Sequence, residues 1–150
     1  MSDIHLTAIT KENWYEVASL HVTTEQSKFV ESNAISIIQQ QYEPSLQTYA
    51  ITVNQQIIGF VMYNRQLEEL NGYWIYRIMI CDSHQQKGYA KQALKLIMTE
   101  MKQLARKPLI IAGIHRENHA SIALFKAVGF IDSGHHFGKE TAYILPINEY

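Results

Sequence analysis

Tyr76-Arg77-Ile78-Met79-Ile80-Cys81-Asp82-Ser83-His84-Gln85-Gln86-Lys87-Gly88-Tyr89-Ala90-Lys91 is the stretch on which the fold of this chain turns. It begins inside a run, Tyr73–Ile80, that is apolar on both faces except at Arg77. A strand with no polar face to give to water belongs in the middle of a sheet. It ends where a helix starts. Tyr89, Ala93, Ile97, Met101 and Ala105 recur four apart, and Ala90, Leu94 and Met98 form the adjacent row. Lys91, Lys95, Glu100 and Lys102 lie mostly off that stripe. Between strand and helix sits a polar turn in which Gly88 and Ala90 leave the backbone open to close approach. Such a turn points its free N–H groups outward with the helix dipole behind them, a geometry that binds phosphate with few positive charges. Lys87 and Lys91 add charge nearby. The competing reading is a tight turn in which Gly88 only permits an unusual backbone angle.

Outward from this stretch, the rest of the chain reads as alternating strands and helices. Residues 4–9 form a short strand, and Thr10 is positioned to cap a helix through Trp14, Val17, Ala18 and His21. Residues 33–41 carry a second helical pattern, with Ile35, Ile37 and Ile38 apolar. Residues 49–53 and 56–63, joined by Asn54-Gln55, read as a hairpin rich in β-branched residues and tyrosine. After the amphipathic helix, residues 109–114 form a buried strand. Asn118 caps a further helix that Gly129 ends, and residues 130–133 and 141–147 are closing strands. The order β-α-α-β-β-β-α-β-α-β-β makes a mixed sheet with helices on its faces. Tyr73–Ile80 and residues 109–114 should be parallel across a right-handed crossover.

Composition bounds the function. The chain has 150 residues, enough for one domain with its own core, and neither repeats nor linker-like tracts divide residues 1–150. A single cysteine, Cys81, excludes an internal disulfide and fits a reducing compartment. The first ten residues read as neither signal peptide nor membrane span, so a cytoplasmic protein without membrane attachment is expected. Net charge is −1 with no basic cluster, which disfavours nucleic-acid binding. Residues 1–82 hold nine Asp/Glu against four Lys/Arg, and residues 83–150 hold five against nine. That split suits a cationic substrate on one side and an anionic cofactor on the other, or it is scatter over two solvated faces. His115 and His119 are four apart and His135-His136 are adjacent. His115 precedes the expected helix cap and no companion ligand has the right spacing, so no metal is expected. Cys81 reads as a buried, inert thiol, and Tyr73 and Trp74 as sheet-face material.

The central stretch resembles motif A of the GNAT superfamily of N-acetyltransferases, a strand and loop followed by Gln/Arg-x-x-Gly-x-Gly/Ala opening a helix. Asn118-His119-Ala120-Ser121-Ile122-Ala123-Leu124-Phe125-Lys126-Ala127-Val128-Gly129-Phe130 is similar to that superfamily's second signature. A narrower resemblance, to bacterial spermine/spermidine (diamine) acetyltransferases, rests on Phe29-Val30-Glu31-Ser32-Asn33-Ala34-Ile35-Ser36, Ile58-Gly59-Phe60-Val61-Met62-Tyr63, Trp74-Ile75-Tyr76-Arg77 and Gly138-Lys139-Glu140. The resemblance implies a mixed α/β GNAT fold, a six- to seven-stranded sheet flanked by about four helices. It also implies acetyl-CoA as cofactor, a small amine as partner, and a homodimer in many relatives. It places CoA pyrophosphate on the backbone of Gln85, Gln86, Lys87, Gly88, Tyr89 and Ala90 beside Lys91. The pantetheine arm falls on the backbone of Ile78, Met79 and Ile80, one of whose N–H groups would polarise the thioester carbonyl. Asn118 would touch the cofactor arm, cap its helix, or both.

Three departures from the pattern matter. Gln86 stands where glycine is frequent, and Ala90 replaces the frequent last glycine. Phe125 stands where many relatives carry a tyrosine that protonates the departing thiolate, and phenylalanine has no proton to give. Tyr76 holds the place of a strand glutamate used by some polyamine acetyltransferases. It is either a proton relay through water or a packing residue. Glu31 is the first candidate to hold a substrate cation, ahead of Glu68, Glu69 and Glu140. The same chemistry on an amino acid, an antibiotic or a protein N-terminus is the alternative. A CoA-binding module without catalysis is the third reading, kept open by Phe125.

Overall fold

The computed structural model describes residues 3–104 and 109–146. Seven strands form one sheet in the order β1-β2-β3-β4-β5-β7-β6. In chain order the elements are β1 (Ile4–Thr7), α1 (Trp14–Ser19), α2 (Asn33–Tyr42), β2 (Leu46–Val53), β3 (Gln56–Asn64), β4 (Tyr73–Ile80), α3 (Tyr89–Met101), β5 (Ile110–His115), α4 (His119–Ala127), β6 (Ile131–Phe137) and β7 (Glu140–Leu145). The element order matches the sequence reading, and β4, apolar on both faces, lies at the centre. Among the described residues only β4 and β5 run parallel; the other neighbours are antiparallel. The four helices divide between the two faces. Ala93, Leu94, Ile97 and Met101 of α3 and Phe125 of α4 pack in the larger core. Val17 of α1, with Ile37 of α2 beside it, packs in a smaller core against Phe60, Met62 and Met79.

Several boundaries differ from expectation for local reasons. Thr10 does not cap α1: its carbonyl opens a turn to Asn13 and Trp14, Asn13 takes the cap position, and the helix stops at Ser19. β1 ends at Thr7, where pairing with β2 ends. β2 begins three residues early, at Leu46, because pairing with β3 continues to Asn64. β6 extends to Phe137, carried by ladder pairs with β7 rather than by any apolar pattern. Ala105 and Ile147 lie outside the described residues. The hairpin turn Asn54-Gln55 is confirmed, with both residues at positive φ (50° and 68°), the conformation that matches strand twist in a two-residue turn.

α4 closes as expected, and more fully. Gly129 sits at φ 107°, Gly129 N–H donates to Lys126 C=O, and Phe130 N–H donates to Phe125 C=O. This is a Schellman ending, and its hydrophobic contact is the edge-to-face pair Phe125–Phe130 at 5.0 Å. Phe125 is thereby fixed by the helix end as well as by the core.

Candidate active site

Two irregularities in β4 create the site. The first is a β-bulge: Met62 pairs with Arg77 but the next residue, Tyr63, pairs with Ile75. β4 therefore carries one extra residue at Tyr76, and bulges re-aim side chains and bend the strand. Ile75 and Ile78 pack in the α3 core, while Tyr76 packs in the α1/α2 core. The second is the short parallel ladder. β4 and β5 pair only at Tyr73/Ile110, Trp74/Ile111 and Ile75/Ala112, then part. Beyond Ile75 the β5-facing edge of β4 has no strand partner, and its N–H and C=O groups offer a template for an extended ligand.

The turn after β4 is the second component. Cys81 N–H donates to Ile58 C=O and Asp82 N–H to His21 C=O, which anchors the turn to β3 and to the segment after α1. The Gln85 side chain donates to Ile80 C=O (2.9 Å) and to Gln26 Oε1 (2.8 Å), tying turn, strand and the α1–α2 segment together. Gln86 is exposed and adopts φ 61°, a left-handed angle that explains why glycine suits this position. Gly88 is the N-cap of α3 at φ 80°, and no side chain caps this helix end. A Cβ built on Gly88 would meet nothing within 4 Å, so the turn faces open space. The N–H groups that open α3 remain directed outward with the dipole behind them. This favours the anion-site reading of the turn over the bare tight-turn reading.

A cleft of about 340 Å³ joins the two components. Ile78, Met79, Ile80, Gln85, Gln86, Gly88, Tyr89, Ala90, Lys91 and Asn118 all line it, so ten residues expected at the cofactor meet in one place. Lys87 is exposed in the turn and does not line the cleft. Asn118 Oδ1 accepts from Ser121 N–H at 3.3 Å, so Asn118 caps α4 and lines the cleft at once. Val22, Gln26 and Val30 complete the opposite wall.

A smaller cavity of about 70 Å³ lies where β4 and β5 part, and Ile78, Asn118, Ser121 and Val30 line both spaces. Tyr76, Arg77, His115, Phe125 and Glu140 line only the smaller one. The Tyr76 hydroxyl donates to Glu68, 2.7 and 2.9 Å from its two carboxylate oxygens. Asn64 donates to the same carboxylate. Burial first, and this bond second, push the Tyr76 hydroxyl up to about 12, so the phenol stays protonated at neutral pH. Arg77 stacks against the Tyr76 ring, 5.9 Å from its centroid, and donates to Tyr76 C=O (3.2 Å) and Gln39 Oε1 (3.4 Å). Burial pushes its pKa down, opposed by the charges of Glu31 and Glu140. Among the described residues, Arg77 Nε is the one buried side-chain nitrogen or oxygen without a hydrogen-bond partner.

Glu31 is exposed and accepts from Ser32 N–H at 3.0 Å. It lines a neighbouring space with Val22, Val30 and Met79 instead of the small cavity itself. Glu69 starts a short turn before β4 and lines neither space. Gln26, Arg77 and Ser121 line the two spaces without having been singled out from sequence, and Glu140, a weaker candidate for the substrate cation, lines the smaller one. Arg77 had a signal, as the one charge in an otherwise apolar central strand. Among the described residues no group of three or more His, Cys, Asp or Glu side chains is arranged to hold a metal. No helix among them is long and apolar enough to cross a membrane.

Comparison with known proteins places this geometry. A spermine/spermidine N(1)-acetyltransferase of Bacillus subtilis (strain 168) is 26% identical over 136 residues, covering 87% of this chain and 90% of that protein. The spermidine N-acetyltransferase of Vibrio cholerae, solved with CoA and spermine, superposes with a TM-score of 0.72 at 15% identity, over 94% of this chain and 92% of that one. The PaiA N-acetyltransferase of Thermoplasma acidophilum, solved with coenzyme A, gives 0.71 at 15% identity, over 97% and 99%. The sequence model of the acetyltransferase (GNAT) family matches residues 13–130, and the chain belongs to that family of acetyl-CoA-dependent N-acetyltransferases.

Proposed function

We propose that this chain acetylates a primary amine of a polyamine, spermidine or spermine, by direct attack while both substrates are bound. The observation that carries the reading is the parting of β4 from β5 beside a helix start that no side chain caps. The residues fit acetyl-CoA. The turn from Gln85 to Ala90 offers main-chain N–H groups and open space for pyrophosphate, with Lys87 and Lys91 adding charge. The free edge of Ile78, Met79 and Ile80 suits the pantetheine arm, and Asn118 stands where the two spaces meet. When bound, acetyl-CoA supplies an acetyl thioester, a carbonyl open to attack by nitrogen.

The acceptor side is rich in carboxylates. Glu140 lines the small cavity, and Glu68 is held beside it by Tyr76. Glu31 lies at the neighbouring rim. Glu140 in the cavity, with Glu68 bonded to the Tyr76 hydroxyl and Glu31 in the adjoining space, suits a chain bearing several ammonium groups better than a simple monoamine. The Bacillus relative supports the same class of acceptor. Tyr76, protonated and committed to Glu68, acts by orienting that carboxylate and does not serve as a base.

The test is thiol release from acetyl-CoA with spermidine, spermine and a monoamine of equal terminal structure. Release should be fastest with the polyamines, and Glu31→Gln should raise their KM without changing acetyl-CoA binding. Equal rates with the monoamine, or none with any of the three, contradict the polyamine assignment.

A further inference from the structure

Neither Tyr76 nor Phe125, at the two positions from which a base and an acid would be expected, can serve as one. Tyr76 offers the amine no base, because it is a protonated phenol bonded to Glu68. No acid faces the leaving sulfur from the aromatic position of α4, because that residue is Phe125. What the cavity does contain is a guanidinium. Arg77 lines it, forms no ion pair within 4 Å among the described residues, and keeps one buried N–H without an acceptor. The unsatisfied Nε–H shows that the protein does not fully neutralise or bond this guanidinium.

We propose that the fixed positive charge of Arg77 takes over both missing roles. It favours the neutral form of the reacting amine over its ammonium, and it stabilises the thiolate that departs. This inference rests on the acetyl-transfer reading above. The two effects share one cause, since each step makes the surroundings of Arg77 more negative. The nitrogen lone pair forms the C–N bond to the acetyl carbon. The C–S bond breaks with its electron pair going to sulfur, and the excess proton passes from nitrogen to solvent. A cation beside another cation in a partly desolvated site lowers the pKa of the second. At about 5 Å and an effective dielectric of about 20, the shift is about two pH units. That brings a primary amine from about 10 to about 8, and a thiol from about 8.5 to about 6.5.

The bulge gives the effect direction. By inserting Tyr76, it lets Arg77 reach Gln39 of α2 and lie over the Tyr76 ring, which holds the guanidinium in place. The charged and titratable groups around it are Glu31 before α2, Glu140 of β7, Tyr76 on its own strand and His115 of β5. Glu31 and Glu140 flank Arg77 without pairing with it, so they remain available to distal ammonium groups. A polyamine would thus lose the proton of the nitrogen nearest Arg77 and keep its other charges on the carboxylates.

The experiment compares the unmodified protein with Arg77→Gln and Arg77→Lys, each first shown by calorimetry to bind CoA. Two readouts follow. The first is the pH dependence of kcat and kcat/KM with the best amine of a panel. The second needs no turnover: the thiolate absorbance of bound CoA as a function of pH. Arg77→Gln should lower kcat about 100-fold and move the amine ionisation up by one to two pH units. It should move the bound thiol up similarly, while Arg77→Lys retains most of both effects. Unshifted ionisations in Arg77→Gln overturn the proposal. So does a higher KM alone, which would make Arg77 a contact for an anionic acceptor. An unmodified protein that binds CoA but acetylates no amine defeats the polyamine reading instead, and the thiol titration still decides the role of Arg77.

Discussion

Gly88 is the residue on which the proposed cofactor site depends most sharply. Its φ of 80° is one that a side chain enters only at a cost of about 1–2 kcal/mol, and its missing Cβ faces open space where pyrophosphate would approach. Gly88→Asp places a carboxylate at that point. CoA affinity measured by calorimetry should fall at least about 100-fold, or nearly 3 kcal/mol, whereas thermal stability should fall by only about 1–2 kcal/mol. Unchanged affinity would mean that the turn is not the pyrophosphate site. Gln86 shows why one position can break the common pattern without breaking the site: it takes the left-handed angle with its side chain in solvent. Phe125 is the opposite case. It is locked into the Schellman ending and the core, so its lack of a hydroxyl transfers the leaving-group problem to a neighbour.

Helix α3 has two jobs, and its two ends divide them. Its first turn faces the cleft, while Glu100 in its last turn accepts from Tyr49 of β2 (2.9 Å) and from Tyr63 of β3. This clamp holds the helix on the sheet and so fixes where its N-terminus points. Burial, then the bond to Glu100, pushes the Tyr49 hydroxyl up to about 12 and the Tyr63 hydroxyl up as well. The folded state therefore keeps these protons more tightly than the unfolded chain, whose phenols titrate near about 10. Their stabilisation is complete below about pH 10 and is lost as pH rises toward about 12. Tyr63→Phe should cost about 1–2 kcal/mol at neutral pH in denaturant unfolding, and the deficit should shrink above about pH 10. A deficit constant across that range would show that the hydroxyl's contribution does not depend on holding its proton. α3 and the strand before it were legible in the sequence because each has a strong local pattern: four-residue apolar spacing in one, unbroken apolarity in the other. The bulge at Tyr76 and the parting after Ile75 were not, because register is settled between strands and leaves no mark in either one. For the same reason Tyr76 read as a relay or a packing residue, while its partner Glu68 arrives from the loop before β4. β6 was half-read, since a largely exposed strand containing Gly134 has no apolar period to betray it.

Across the molecule, the proposed cofactor and acceptor sites are built from different elements that meet at one fork. The α3 turn and β4 edge line the larger cleft, proposed for the cofactor; the bulge, β5 and the start of β7 line the smaller cavity, proposed for the acceptor. Arg77, Phe125 and Glu140 lie together at that fork although they come from three distant parts of the chain. If the cofactor bridges α3, β4 and α4 in this way, it must stabilise the whole fold. At about 100 times its Kd, CoA should add about 2.7 kcal/mol, raising Tm by about 5–10 °C for a chain of this size. Spermidine alone should raise it far less. The most direct test of the account is to titrate isotopically labelled protein with CoA and follow its backbone amides by NMR. The largest shifts should fall on Gln86 to Lys91 and on Ile78 to Ile80. Shifts concentrated elsewhere, with those amides undisturbed, would contradict the proposition that this turn and this strand edge hold the cofactor.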